Sequence, residues 1–153
     1  MSALSKTESD DFSSSAVVYD SASDILIDTN GFMIPVQFGI DIFSELKRLG
    51  FTGFLTIQAV VSELQKLSQT VSGSDRIAAR VALRLSQQCR LLDAPEPGNG
   101  VRMYADDIII ESALQHSVSV LTNDAGLRQK LMKRGIQVVS MRQMKRLGII
   151  NQK

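Results

Sequence analysis

With 153 residues, 44% of them hydrophobic and 22% charged, the chain has the size and make-up of one soluble globular domain. Its single cysteine, Cys89, and single histidine, His116, exclude a disulfide framework, a Cys- or His-rich zinc site and two-histidine catalysis, so hydrolytic chemistry would have to rest on carboxylates. The net charge of +1 is unevenly spread: Ala125 to Lys153 holds eight of the 17 basic residues and none of the 16 acidic ones. A split of this kind points to a polyanionic partner or, on the plainer reading, to a solvated helical surface.

No apolar run approaches the ~20 residues of a membrane span, and the N-terminus has no basic segment followed by an apolar core. Neither membrane association nor a signal peptide is therefore expected, and one lone thiol fits a reducing, cytoplasmic setting. Met1 to about Ser15 is Ser-rich and acidic with few large apolar residues, which predicts a flexible tail. Residues 16–153 are expected to form one domain.

Val17-Val18-Tyr19 has the composition of a short edge strand. Asp24-Ile25-Leu26-Ile27 is a stronger signal: three apolar residues run straight into Asp28, Thr29, Asn30 and Gly31, as in a buried strand of a parallel sheet. Phe32 to Gly39 predicts an apolar loop or a short helix broken by Pro35. Asp41 begins a helix to about Leu49, stopped by Gly50. Gly53 to Ile57 is a second strand. Ala59 to about Leu67 is helical, with Val60, Leu64 and Leu67 on one face and Glu63 beside it.

A loop at Ser72 to Asp75 leads into a helix reaching about Gln88. Ile77, Val81 and Leu85 form an apolar stripe on it; Arg76, Arg80 and Arg84 form a basic stripe at the same spacing, either solvated or facing phosphates. Arg90 to Asp93 suits a strand, and the Pro- and Gly-rich Ala94 to Gly100 a surface loop. A helix from Tyr104 to about His116 places Asp106 on the face of Ile109, Ile110 and Ala113. Val118 to Thr122 is a strand ending in Asn123-Asp124. A helix to about Lys133, a strand from Ile136 to Val139 and a short basic helix from Arg142 to Leu147 complete the order. Alternation of this kind predicts an α/β fold with a central parallel sheet covered on both faces.

In such sheets ligands bind outside the carboxyl ends of the strands. Asp28 and Asp124 each follow a buried strand, Asp106 begins a helix that starts at the same edge, and Glu63 lies early in the helix after the second strand. Each has a plainer reading: Asp106 and Asp107 suit any helix N-terminus and Asp124 could be an N-cap. Together they predict crowded carboxylates with no Lys or Arg beside them in sequence. A hard divalent cation, Mg²⁺ or Mn²⁺, is the natural neutraliser of such a site. Combined with the basic C-terminal part, this predicts hydrolysis of a nucleic-acid backbone.

The motifs Ile27-Asp28-Thr29-Asn30, Val61-Ser62-Glu63-Leu64, Ala105-Asp106-Asp107-Ile108 and Leu121-Thr122-Asn123-Asp124-Ala125-Gly126-Leu127-Arg128 together resemble the PIN-domain ribonucleases, in that family's order. The segment from Phe32 to Phe43 resembles archaeal members related to the nuclease of the eukaryotic small-subunit processome more than the VapC-type toxins. The resemblance implies a three-layer α/β/α sandwich and a Mg²⁺- or Mn²⁺-dependent endoribonuclease that leaves 5′-phosphate and 3′-hydroxyl ends. It carries over Asp28, Glu63, Asp106 and Asp124 as metal-coordinating residues, with Asp107 as the alternative to Asp106. Asn30 and Thr122 are then supporting polar groups, and Arg76, Arg80, Arg84, Arg128, Lys145 and Arg146 the candidate RNA contacts. A ribosomal RNA precursor is the implied substrate, and homodimerisation stays open. One cysteine cannot build the zinc ribbon of one related subgroup.

Three other readings compete. The turn Asp28-Thr29-Asn30-Gly31 is similar to the nucleophile turn of haloacid-dehalogenase phosphatases, but Asn30 stands where those enzymes carry a second aspartate as general acid. A PIN protein that binds RNA or scaffolds assembly without cutting, and a toxin that needs an antitoxin, share the fold and differ in activity or partner.

Overall fold

The computed structural model describes residues 17–70, 72–95 and 104–150. The expected N-terminal tail and most of the 94–100 loop fall outside these residues. Ile25, Leu26 and Ile27 form strand β1 (Asp24–Ile27) and are completely shielded from solvent. A strand apolar on both faces can only lie at the centre of a covered sheet. β1 pairs in parallel with β2 (Gly53–Ile57) on one side and with β4 (Ser119–Leu121) on the other, with Leu26 opposite both Leu55 and Val120. β3 (Arg90–Leu92) extends the sheet beyond β2, and β5 (Val138–Arg142) extends it beyond β4. The spatial order is β3-β2-β1-β4-β5-β6, where β6 (Arg146–Ile150) runs antiparallel to β5.

This order has a topological consequence. The chain moves outward from β1 through β2 to β3, then returns to the other side of β1 for β4. Adjacent strands whose connections leave in opposite directions open a crevice at their carboxyl ends. Here those ends carry Asp28 and Asp124. The helices sort by the same logic. α1 (Thr29–Phe38), α2 (Ile42–Arg48), α3 (Gln58–Thr70) and α4 (Ser74–Ser86) pack among themselves, and α5 (Ala105–His116) packs with α6 (Ala125–Lys133). Right-handed crossovers place these two groups on opposite faces. The architecture is the expected three-layer α/β/α sandwich, with one antiparallel strand at the edge.

Three local expectations are corrected, and the packing face of α4 is fixed. Val17 to Tyr19 forms no strand; Val17 and Val18 are exposed. Pro35 lies inside α1 and does not break it. The ring forfeits one i→i−4 bond, but Phe32, Met33 and Ile34 are buried just before it. Both helix ends are also capped: Asp28 Oδ1 accepts from the Gly31 N–H, and Gly39, at φ 67°, donates its N–H to the Pro35 carbonyl. On α4 the buried face is Ala78, Ala79, Ala82 and Ser86, while Ile77 is 60% exposed. Small residues let α4 approach α1 and α3 closely, and that packing overrides the larger apolar stripe.

The third correction concerns the C-terminus. The expected basic helix from Arg142 to Leu147 is a β-hairpin, with Arg142 opposite Arg146. Lys, Arg, Met and Gln favour helix locally. Pairing β6 onto β5 instead buries Leu147, and the turn accepts left-handed backbone at Gln143 (φ 55°) and Met144 (φ 58°), which non-glycine residues seldom adopt. Two side chains of α2 then cover the outer edge of β6. The Leu147 N–H donates to Glu45 Oε1 (3.0 Å), and Arg48 Nη2 donates to the Leu147 carbonyl (2.8 Å). Arg48 also bonds Glu45 and, together with the Leu147 N–H, holds its carboxyl below the ordinary value. An edge strand filled in this way offers fewer groups to another chain.

Candidate active site

α1 begins where β1 ends, and Asp28 occupies the joint. Its backbone N–H still donates to the Leu121 carbonyl (3.2 Å), so the ladder holds the residue against β4. Its side chain is the N-cap of α1 and accepts the Gly31 N–H at 2.6 Å. The sharp turn into the helix needs a residue without a side chain at position 31. A Cβ there would stand 2.9 Å from both Ile27 Cγ2 and the Leu121 carbonyl oxygen. Asp28 is only 4% exposed. Burial raises its pKa from the ordinary 3.8 to about 7. Hydrogen bonds from the Thr122 hydroxyl and the Gly31 N–H pull it back down, and the charges of Asp124 and Asp106 add to the rise.

Asp124 is the N-cap of α6 and accepts the Leu127 N–H at 3.1 Å. The fully buried Thr122 links the two strand-end acids: it bonds Asp28 and its hydroxyl accepts the Asp124 N–H (3.1 Å). Behind Asp124, Arg128 Nη1 donates to Ser140 Oγ (3.3 Å), which in turn donates to Asn123 Oδ1 (3.3 Å). Arg128 thus holds the β4–α6 junction and is partly buried.

Asp28, Thr29, Asn30, Glu63 and Asp106 line one cleft of about 200 Å³, walled by Met33, Ile57, Val60, Ile109 and Leu127. The structure therefore gathers Asp28, Glu63 and Asp106 around a common space, with Asp124 at the adjoining strand end outside its lining. Asp107, the alternative in the same helix, is exposed and does not line the cleft. Arg80 and Arg84 are exposed on α4, Arg76 is half-buried, and none of the three lines the cleft. Lys145 and Arg146 are exposed at the β5–β6 hairpin. β5 is parallel to β1, so that hairpin turns at the same carboxyl edge as the acids.

Two residues of the site were not foreseen. Thr29 Oγ1 donates to Glu63 Oε1 at 2.7 Å, tying α1 to α3 across the cleft. Lys130 Nζ on α6 stands 3.6 Å from Asp106 Oδ2. The expectation of carboxylates with no basic neighbour holds along the sequence and fails in space. Each acid thus has a protein partner: a backbone N–H and a hydroxyl for Asp28, a hydroxyl for Glu63, a lysine for Asp106, a backbone N–H for Asp124. Among the described residues no three Asp, Glu, His or Cys side chains are drawn together closely enough to hold one ion. Cys89 and His116 lie outside the cleft. Burial pushes the Cys89 thiol up to about 12. His116 Nε2 bonds the Asp93 carbonyl oxygen (2.8 Å), and its ring meets Tyr19 edge-on.

A parallel sheet with one antiparallel edge strand, and acids at the switch point between its two central strands, defines a PIN-like domain. A family model described as a PIN like domain matches residues 25–144, and the chain belongs to that family. Ribonuclease VapC9 of Archaeoglobus fulgidus is 31% identical over 124 residues, covering 81% of this chain and 87% of its own length. Ribonuclease VapC4 of Methanocaldococcus jannaschii is 30% identical over 126 residues, covering 79% of this chain and 92% of its own. The rRNA-processing protein FCF1 of Saccharomyces cerevisiae is 32% identical over 121 residues, covering 76% of this chain and 59% of its own length. VapC ribonucleases and an rRNA-processing protein thus stand at nearly the same identity to this chain.

Proposed function

We propose that the chain is a divalent-metal-dependent endoribonuclease whose working groups are Asp28, Glu63, Asp106 and Asp124. The observation that carries this reading is Asp28: a carboxyl buried at the end of the central strand, raised to about 7 by burial and by two neighbouring acids. A stability role alone would be filled better by a neutral cap. A nearby cation would restore its charge. The donors are oxygens throughout, which suits Mg²⁺ or Mn²⁺. When bound, such an ion would activate water and offset charge on a phosphoryl group.

The chain's own residues supply the rest. Thr122 and the Gly31 N–H orient the Asp28 carboxylate, and Thr29 orients Glu63. Arg128 steadies the Asp124 junction through Ser140. Met33, Val60, Ile109 and Leu127 give the cleft apolar walls, which strengthen charge interactions inside it. Lys145 and Arg146, at the same sheet edge, would take phosphates of the strand that crosses the acids. Among the described residues no side chain offers an obvious base-reading pattern, so choice of RNA would follow shape and partners. A ribosomal RNA precursor is one substrate class to test, on the likeness to the rRNA-processing relative; the equal likeness to the VapC ribonucleases keeps the toxin-type reading beside it.

The test is incubation of single-stranded and structured RNA with Mn²⁺, Mg²⁺ or EDTA, comparing wild type with Asp28→Asn and Asp124→Asn. Asparagine also caps helices, so both variants should keep the wild-type circular dichroism spectrum while cleavage disappears. Undiminished cleavage by both would sink the reading.

A further inference from the structure

Two ion pairs join α5 to α6 and to its C-cap residue, Arg134. Arg134 Nη1 meets Glu111 Oε2 at 3.4 Å, and Lys130 Nζ meets Asp106 Oδ2 at 3.6 Å. As helix staples they are alike: all four side chains are substantially exposed, and exposed pairs contribute little to stability. They differ in what the acid does otherwise. Glu111 does not line the cleft. Asp106 lines it beside Glu63 and Asp28, and its charge is one of those felt by Asp28. Lys130 also lies one turn beyond Leu127, a wall residue of the same cleft. Its ammonium is therefore a basic group that the fold brings to the acids themselves.

From this geometry we infer that Lys130 is a binding residue of the site with two successive partners. At rest its ammonium neutralises Asp106 where a divalent ion would do so. Once an ion takes Asp106, the flexible side chain turns to a phosphate of the RNA backbone at the mouth of the cleft. The inference rests on the metal-site reading above. It has a signature that a staple lacks: Lys130 works against ion binding and in favour of substrate binding, so its removal moves the two in opposite senses.

The experiment compares Lys130→Met, which keeps the apolar stem, with Lys130→Arg and with Arg134→Met, which removes the other pair. Mn²⁺ affinity is read by calorimetry on the RNA-free protein, and KM is read from cleavage of a single-stranded RNA at saturating Mn²⁺. Lys130→Met should bind Mn²⁺ about three- to tenfold more tightly, the effect of removing one positive charge a few ångströms from a screened divalent site. Its KM should rise severalfold. Lys130→Arg should restore both values towards wild type, and Arg134→Met should change neither. Mn²⁺ affinity that is unchanged or weaker in Lys130→Met, an unchanged KM, or the same response from Arg134→Met would overturn the inference. The two readings fail separately. If wild type shows no Mn²⁺ binding that Asp28→Asn abolishes, the metal site falls and Lys130's role with it. If that binding is present and Lys130→Met titrates like wild type, only Lys130's role falls.

Discussion

Asp28 makes the metal-free protein's stability depend on pH in a direction opposite to that of most carboxylates. In the unfolded chain it titrates near 3.8, and in the folded chain near 7. Between those values the folded state holds a proton that the unfolded state has released. Stability is therefore full below about pH 4 as far as this group is concerned, and falls as pH rises towards 7. The gap of about three units corresponds to about 4 kcal/mol at most, at ~1.4 kcal/mol per unit. Asp28→Asn removes the titration while retaining an oxygen to accept the Gly31 N–H. Urea melts in EDTA should find the variant more stable than wild type by up to about 4 kcal/mol at pH 8, with the difference shrinking towards zero near pH 4. Mn²⁺ added at pH 8 should stabilise wild type and leave Asp28→Asn unmoved. A variant no more stable than wild type at pH 8, or a difference that does not change with pH, would refute the argument.

Gly31→Ala would drive a Cβ to 2.9 Å from the Leu121 carbonyl, which belongs to the sheet and cannot move aside. It should cost about 1–3 kcal/mol in urea unfolding, where an unhindered helical site would gain from alanine. Replacing Lys145 and Arg146 together by Gln should reduce the slope of log K against log salt for single-stranded RNA by roughly 1.4, measured in EDTA; an unchanged slope would remove the hairpin from the RNA surface. Cys89, raised to about 12 by burial, should alkylate at pH 8 roughly 10³-fold more slowly than an unperturbed thiol. Labelling of the native protein at the free-cysteine rate would contradict its burial.

The sheet was legible because its strands are written twice, once in burial and once in punctuation. Ile25 to Ile27 is apolar without alternation and stops at an acid and small polar residues, so both its place in the sheet and its direction could be read. β4 carries a serine, Ser119, but stops at the same kind of polar punctuation, which is why Asp28 and Asp124 were both placed at strand ends. The C-terminal hairpin had no such local mark. Arg142 to Leu147 is a good helical hexamer by propensity, and only pairing with β5 and the clamp from Glu45 and Arg48, about a hundred residues earlier, makes it a strand edge. On α4, periodicity identified an apolar stripe without saying which face packs, and the packed face is the small-residue one. The choice between Ile77 and Ala78 as the buried position depends on how closely α1 and α3 approach, which no spacing within α4 encodes.

The site divides along the same line. Acids at strand ends and helix starts are fixed by the register of single elements, so their convergence follows from topology alone. Their partners come from other elements. Thr29 reaches Glu63 from α1 to α3, and Lys130 reaches Asp106 from α6 to α5. These contacts change the chemical picture. Four unpaired carboxylates would repel one another and call for an ion to let the protein fold. Here each acid instead holds a hydroxyl, an N–H or an ammonium, while burial and its acidic neighbours raise Asp28 to about 7. Under the proposed reading, an ion would compete with Lys130 for Asp106 and would favour the charged form of Asp28.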